Sequence, residues 1–380
     1  MSSRIFLSFP HLSGNEMKWI DKAFQDNWVV PLGPNVDEFE RLLGSYLGKD
    51  NTVVALSAGT AALHLGLVML GIKAEDEVIC QSLTFSASAN PIAYLGAKPV
   101  FVDSEPDTWN MSPEALEEAI IDRKKVTGQY PKAIIPVHLY GMPAKMNEIM
   151  DIANKYGIPV LEDAAEALGS EYKGERCGTL GKYGALSFNG NKIITTSGGG
   201  ALICPGPDEA KRTKFLATQA KEPMPYYYHK EIGYNYRLSN ISAGIGCGQM
   251  QVLSEHVARR RAIHDLYTKL LEGVKGIHVM QNPSKDFNSN FWLTTISFDR
   301  QLNINPEDLR LALEEKNIES RWIWRPMHMQ PVFNNAPYYG GNCAEDIYNN
   351  GLCLPSGSNL TDDDIQRTAD AIIDFFTQRK

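Results

Sequence analysis

Apolar residues in the first half of the chain gather into short continuous runs, separated by longer stretches in which polar and apolar positions recur with helical spacing. The runs are Val53-Val54-Ala55-Leu56, Val78-Ile79-Cys80, Pro99-Val100-Phe101-Val102, Ala133-Ile134-Ile135-Pro136-Val137 and Ile158-Pro159-Val160-Leu161. Continuous apolar strands between helices predict a sheet buried on both faces, mostly parallel and covered by helices. Three further strands are expected at 184–188, 193–196 and 200–204, close enough together for an antiparallel edge. Ahead of them all, Ser13-Gly14-Asn15-Glu16 reads as a capping box, so a helix is expected from about residue 14 until just before Pro31.

Beyond this α/β layer the pattern changes. A helix is expected from 241 to about 272, a strand over 291–298, a helix over 306–316 and a closing helix from Thr361, with Ile365, Ala369, Ile372, Ile373 and Phe376 on one face. The expected division is a larger domain over 1–250, including the N-terminal segment, and a long linking helix with a smaller α+β domain over 251–380. No internal repeat and no low-complexity linker interrupts it.

Composition narrows the functional classes. Of 380 residues, 43% are apolar and 22% charged, ordinary values for a chain that folds throughout. A net charge of -8, with Arg259-Arg260-Arg261 as the one basic run, argues against a nucleic-acid binder. No signal-peptide core and no membrane-length apolar run is present, so a cytoplasmic location is expected. The six cysteines lack paired spacing, which predicts reduced thiols and no metal site.

In an open α/β sheet, ligands bind beyond the carboxyl ends of the strands, and four such ends are unusual. Val160-Leu161 leads to Glu162-Asp163-Ala164-Ala165-Glu166, where Asp163 can keep a pyridine nitrogen protonated or cap a helix. Leu56-Ser57-Ala58-Gly59-Thr60 enters a helix through small residues, a cup for phosphate. Phe85, after Gln81-Ser82-Leu83-Thr84, can stack on a planar ring or belong to the core. Finally, Leu186-Ser187-Phe188-Asn189-Gly190-Asn191-Lys192-Ile193-Ile194 sets a lysine in an apolar, glycine-flanked stretch. A desolvated amine there forms an imine readily, whereas a solvated loop lysine is the plain alternative.

Those segments, together with Val137-His138-Leu139-Tyr140-Gly141 and Gly233-Tyr234-Asn235-Tyr236-Arg237, resemble the DegT/DnrJ/StrS nucleotide-sugar aminotransferases from Ile5 to the C-terminus. The resemblance implies an α/β fold of the fold type I aminotransferases, with a mainly parallel central sheet, flanking helices and a smaller C-terminal α+β domain. It implies pyridoxal 5'-phosphate as cofactor, with Lys192 as Schiff-base lysine and proton shuttle, Asp163 on the pyridine nitrogen and Phe85 against the ring. Gly59, Thr60 and Ser187 would hold the phosphate, and Asn235 would reach the phosphate of a neighbouring subunit in a homodimer with shared sites. Glu166 stands where the family usually has Gln, and would face the ring oxygen if one of the two groups keeps a proton.

Glu166 and the segments 189–200, 235–240 and 327–333 look most like the branch that makes UDP-4-amino-4,6-dideoxy-N-acetylglucosamine, the precursor of N-acetylbacillosamine. The donor would be L-glutamate and the acceptor a UDP-linked 4-keto-6-deoxy sugar. Asn27, Trp28, Val29, Val30, Arg325, Met327 and His328 would border that sugar nucleotide, although Trp28 can equally be core and His328 a hydrogen-bonded loop residue. Alternatives are a GDP-perosamine-type or other keto-sugar aminotransferase, a sugar dehydratase, which would carry His in place of Lys192, and a non-catalytic regulatory relative.

Overall fold

Seven of the short apolar runs are strands of one twisted layer in the computed structural model, which describes residues 3–50 and 52–378. They are β1 (Val53–Leu56), β2 (Glu77–Gln81), β3 (Lys98–Val102), β4 (Ala133–Ile135), β5 (Leu161–Asp163), β6 (Tyr183–Ser187) and β7 (Gly200–Ile203). Hydrogen bonding orders them β3-β2-β4 and β5-β6-β7-β1, and the parallel bridges Ile134 to Val160 and Val137 to Asp163 join the two sets. All neighbours are parallel except β7, antiparallel to both β6 and β1. The antiparallel strand is thus enclosed, with β1 as the edge. Val54, Leu56, Val78, Val100, Ile134, Leu161 and Leu202 have no measurable exposure, as a sheet covered on both faces requires.

Helices α1 (Glu16–Gln25), α2 (Pro34–Leu47) and α3 (Gly59–Met69) precede or follow β1, and α3 packs on β6 and β7. Half of the expected capping box forms: Glu16 accepts from the Ser13 N–H at 2.7 Å, while the Ser13 hydroxyl accepts from Asn15. Both α1 and α2 lie on the Asn240–Met250 helix. Close approach is possible because Gly246 and Gly248 present no side chain there; a Cβ would stand 2.6 Å from the Phe39 ring and 2.9 Å from the Glu16 Cα.

Two sequence expectations fail. Residues 193–196 are not a strand, since both edges of β6 are already taken by β5 and β7. Ile193 and Ile194 are instead buried anchors of a loop. The helix expected from 241 to about 272 is two helices, Asn240–Met250 and Leu253–Leu270. The break is closed by i→i−3 bonds from Gln251 and Val252 onto the Gly248 and Gln249 carbonyls. It redirects the chain toward a four-stranded antiparallel sheet, Ile277–Val279, Thr294–Phe298, Gly351–Leu354 and Arg321–Trp322 in spatial order. Its middle strand begins at Thr294 rather than Phe291, which sits at φ 47°.

Helices Pro306–Glu315 and Asp362–Thr377 cover that sheet, with Ile365, Ala369 and Ile372 in its core beside Leu309 and Leu352. Burying each such Ile contributes about 2 kcal/mol. A complete capping box, Thr361 with Asp364, starts the last helix. The first residues dock here as well: Ile5 bridges Ile318 and Arg4 pairs with Glu314 at 2.6 Å. The six cysteines are unpaired, and among the described residues no helix is long and apolar enough to cross a membrane and no metal-binding cluster occurs.

Candidate active site

The carboxyl ends of β1, β2, β5 and β6 face a cavity of about 220 Å³, closed on the far side by Trp292 and Trp324 from the C-terminal layer. At the end of β1 the chain turns through Ser57-Ala58 into α3. Ala58 is the N-cap and offers no side-chain hydrogen bond, so the first-turn amides remain available to an anion. Thr60 adds a hydroxyl and Ser187, at the end of β6, a second. Gly59 keeps the cup open: a Cβ there would lie 2.8 Å from the Ser187 Cβ.

Asp163 ends β5 inside the same cavity and is buried. The Ser88 hydroxyl donates to its Oδ2 at 2.6 Å, and Thr84 meets Ser88 at 2.6 Å, so the loop after β2 props the carboxylate. Its Oδ1 accepts from the Ala165 N–H at 3.1 Å. Phe85, from that same loop, lines the cavity at 55% exposure with its ring 5.4 Å from Trp324.

Lys192 comes from the loop of residues 189–199. Its Nζ stands 3.1 Å from Glu166 Oε1 and 4.0 Å from the centre of the Trp292 ring. The other Glu166 oxygen accepts from the Tyr140 N–H at 2.7 Å. Tyr140 takes a left-handed conformation, φ 54°, which is costly for a tyrosine and aims that amide at the carboxylate. Burial pushes the Glu166 carboxyl above its usual range; Lys192 opposes the shift and Asp163 adds to it.

Lys192, Asp163, Glu166, Gly59, Thr60, Ser187 and Phe85 therefore share one cavity. The remaining candidates lie outside it. Asn235 is exposed and bridges Thr218, on a segment fixed to the end of β1 by the Ser57 N–H donating to the Tyr236 carbonyl at 2.8 Å. Trp28, Val29 and Val30 are exposed, and their backbone, with Asn27 at φ 58°, is held by Asn240. Arg325 is exposed in a groove beside Trp322 and Trp324. The Met327 side chain is buried in a cluster with Phe101 and Phe333 and faces that core. His328 is hydrogen bonded through both ring nitrogens, to Ser82 at 2.7 Å and Glu345 at 3.1 Å, and stacks on Tyr338 at 3.8 Å.

Sequence reading missed Ser57, Asn189, Asn191, Trp292 and Trp324 as lining residues. The two asparagines flank Lys192 and were within reach of that argument. Nothing local marks the tryptophans, whose place in the wall depends on how the C-terminal layer docks. A buried, propped acid, an amine held against a carboxylate and an aromatic face, and a helix N-terminus that only glycine keeps open fit a phosphorylated pyridine aldehyde.

Residues 10–373 match the model of the DegT/DnrJ/EryC1/StrS aminotransferase family. The chain is 49% identical to EpsN of Bacillus subtilis, named as a pyridoxal phosphate-dependent aminotransferase, over 99% of this chain and 97% of EpsN. It is 36% identical to the GDP-perosamine synthase of Caulobacter vibrioides over 97% of each chain. The crystal structure of a DegT DnrJ EryC1 StrS aminotransferase from Brucella abortus superposes with a TM-score of 0.88, at 31% identity over 95% of each chain.

Proposed function

The chain belongs to the DegT/DnrJ/EryC1/StrS aminotransferase family, and from that premise we propose that it moves an amino group from L-glutamate to C4 of UDP-2-acetamido-2,6-dideoxy-4-keto-hexose, yielding UDP-4-amino-4,6-dideoxy-N-acetyl-D-glucosamine. It is a pyridoxal phosphate-dependent aminotransferase of fold type I. The observation that carries the site assignment is the Lys192–Glu166 pair at 3.1 Å in a cavity shared with Asp163 and the start of α3.

Bound there, pyridoxal phosphate supplies an electrophilic carbon and an electron-withdrawing ring. The first-turn amides of α3, with the Thr60 and Ser187 hydroxyls, bind the phosphate, and Gly59 leaves the approach free. Asp163 holds a proton at the ring nitrogen, with Ser88 fixing its orientation. Lys192 Nζ takes the proton from Cα of glutamate and later delivers one to C4 of the sugar. Glu166 Oε1 steadies the amine while it is cationic, and the Trp292 and Trp324 rings keep water from it.

Asn235, exposed and outside the lining of this cavity, serves the phosphate of a second copy, which makes the working unit a homodimer with shared sites. Residues Asn27 to Val30 and His328 border the sugar nucleotide. Arg325, exposed and without a carboxylate partner among the described residues, is the cation offered to its diphosphate. Met327 supports His328 from the core.

The UDP-linked acetamido sugar is favoured by Glu166 and by the segments 189–200, 235–240 and 327–333. A second reading, a GDP-linked 4-keto sugar giving perosamine, is favoured by the 36% identity to a GDP-perosamine synthase. Mass-spectrometric product identification, with L-glutamate and a panel of UDP- and GDP-linked 4-keto-6-deoxy sugars, decides between them. Amination of the UDP-acetamido sugar with the highest kcat/KM is the expected result; preference for the GDP sugar would replace the first reading by the second.

A further inference from the structure

Behind the wall that carries Lys192 lies Arg260, at 1% exposure on the Leu253–Leu270 helix. Buried cations are ordinarily paired with an acid. Arg260 meets no carboxylate among the described residues, and its Nε has no partner at all. Its other two nitrogens each make one hydrogen bond. Nη1 donates to the Trp292 carbonyl, and Nη2 donates to Ser8 Oγ at 3.0 Å.

Those two residues converge on a further atom. Ser8 Oγ donates to the Asn191 carbonyl at 2.7 Å, and Trp292 Nε1 donates to the same carbonyl at 2.7 Å. That carbonyl belongs to the peptide bond entering Lys192. The Trp292 ring is also the one lying 4.0 Å from the Lys192 amine. One guanidinium thus grips, from the N-terminal segment and from the C-terminal layer, both donors that orient the peptide before Lys192. Because Ser8 accepts from Arg260, its only proton is committed to Asn191.

We propose that Arg260 is a positioning residue for Lys192, fixing the reacting amine through Ser8 and Trp292. The proposal rests on Lys192 being the reacting amine. An apolar side chain of similar volume would fill the site at lower desolvation cost, so the guanidinium is explained by what it orients. Burial holds that guanidinium below its ordinary value, down to about 9, as expected for a cation without a counterion. The other charged or titratable groups are placed differently. Glu166 and Asp163 face Lys192 from the cavity. His256, one turn before Arg260, meets the Ile193 carbonyl at 3.3 Å, stacks on His11 and is held down to about 4 by burial, hence neutral at pH 7.

The test uses the holoenzyme. Arg260→Met is expected to slow the glutamate-driven change of cofactor absorbance about tenfold, with the glutamate KM and cofactor retention unchanged. In the holoenzyme, Ser8→Ala should slow the glutamate-driven change of cofactor absorbance about threefold without altering the glutamate KM or cofactor retention. The Ser8→Ala/Arg260→Met double variant should be no slower than Arg260→Met alone, because the hydroxyl works through the guanidinium.

Multiplicative losses in the double variant, or a wild-type rate in an Arg260→Met protein that melts at the wild-type temperature, would overturn the proposal. If Arg260→Met does not fold, Arg260→Lys replaces it in the cycle: it keeps the charge, loses the fork, and should show the slowed rate. Retained turnover in Lys192→Ala would sink the reading of Lys192 itself, an outcome distinct from inert Arg260 variants beside an essential Lys192.

Discussion

Residues 189–199 and residues 222–235 both connect regular elements and both carry candidate site residues, yet they are built in opposite ways. In the first, Ile193, Ile194, Thr195 and Thr196 are buried, and hydrogen bonds join the loop to Ser8, Gln249 and Trp292, three distant parts of the chain, as well as to the adjoining Phe188. In the second, Tyr227 is 81% and Ile232 83% exposed, and the supports are local: an exposed Arg212–Glu231 pair and the Glu222 N–H on the Tyr228 carbonyl. Lys192 is therefore fixed by this chain alone. Asn235 follows a stretch of exposed apolar side chains, which a second copy covers in the proposed homodimer.

Replacing Lys192 by Ala attacks the finished region at its chemical centre, and should cut turnover at least about 10³-fold while the phosphate cup still retains cofactor. Absorbance of the washed protein and product formation measure the two halves separately. Asn235→Ala attacks the unfinished region. Loss of a hydrogen bond to a phosphate should weaken cofactor binding about 10- to 100-fold, and mixing Lys192→Ala with Asn235→Ala subunits should restore activity, since each hybrid then holds one intact site. Hybrids without recovery would place Asn235 outside any shared site. A smaller change within the cup is Gly59→Ala: its Cβ, 2.8 Å from the Ser187 Cβ, should raise the cofactor dissociation constant about tenfold by crowding alone, read by equilibrium titration of the cofactor-free protein.

The contrast between the two loops also explains what was legible in the sequence. Continuous apolar runs mark β1 to β6 because a strand covered on both faces has no polar alternative, and the strand ends then locate Asp163, Ser187 and the start of α3. The same logic misassigned Ile193-Ile194-Thr195-Thr196, whose apolar, β-branched composition is that of a strand. Only pairing decides, and β6 has no free edge to offer. Trp292, Trp324 and Arg260 left no local trace, because their roles arise from contacts with Lys192, Phe85 and Ser8 far away in sequence. The break after Met250 was hidden similarly: both helices carry helical spacing, and the turn between them follows from α1 seating on Gly248.

Glu166→Gln is the mildest change to the finished region and the most informative about its charge. In the folded chain burial raises the Glu166 carboxyl above its unfolded value, so the native state holds that proton more tightly than the unfolded state does. Its contribution to stability is then fully present below the unfolded value of about 4.3 and is lost as pH rises through the folded one. Gln does not titrate, so the melting temperature of the variant relative to wild type should climb between pH 4 and pH 7. The amide also removes the carboxylate partner 3.1 Å from Lys192. At the optimum the rate should stay within about threefold, since a neutral amide still accepts from the Tyr140 N–H and proton transfer remains with Lys192. A melting-temperature difference that stays flat between pH 4 and pH 7 would mean that burial does not raise the Glu166 carboxyl in the folded chain.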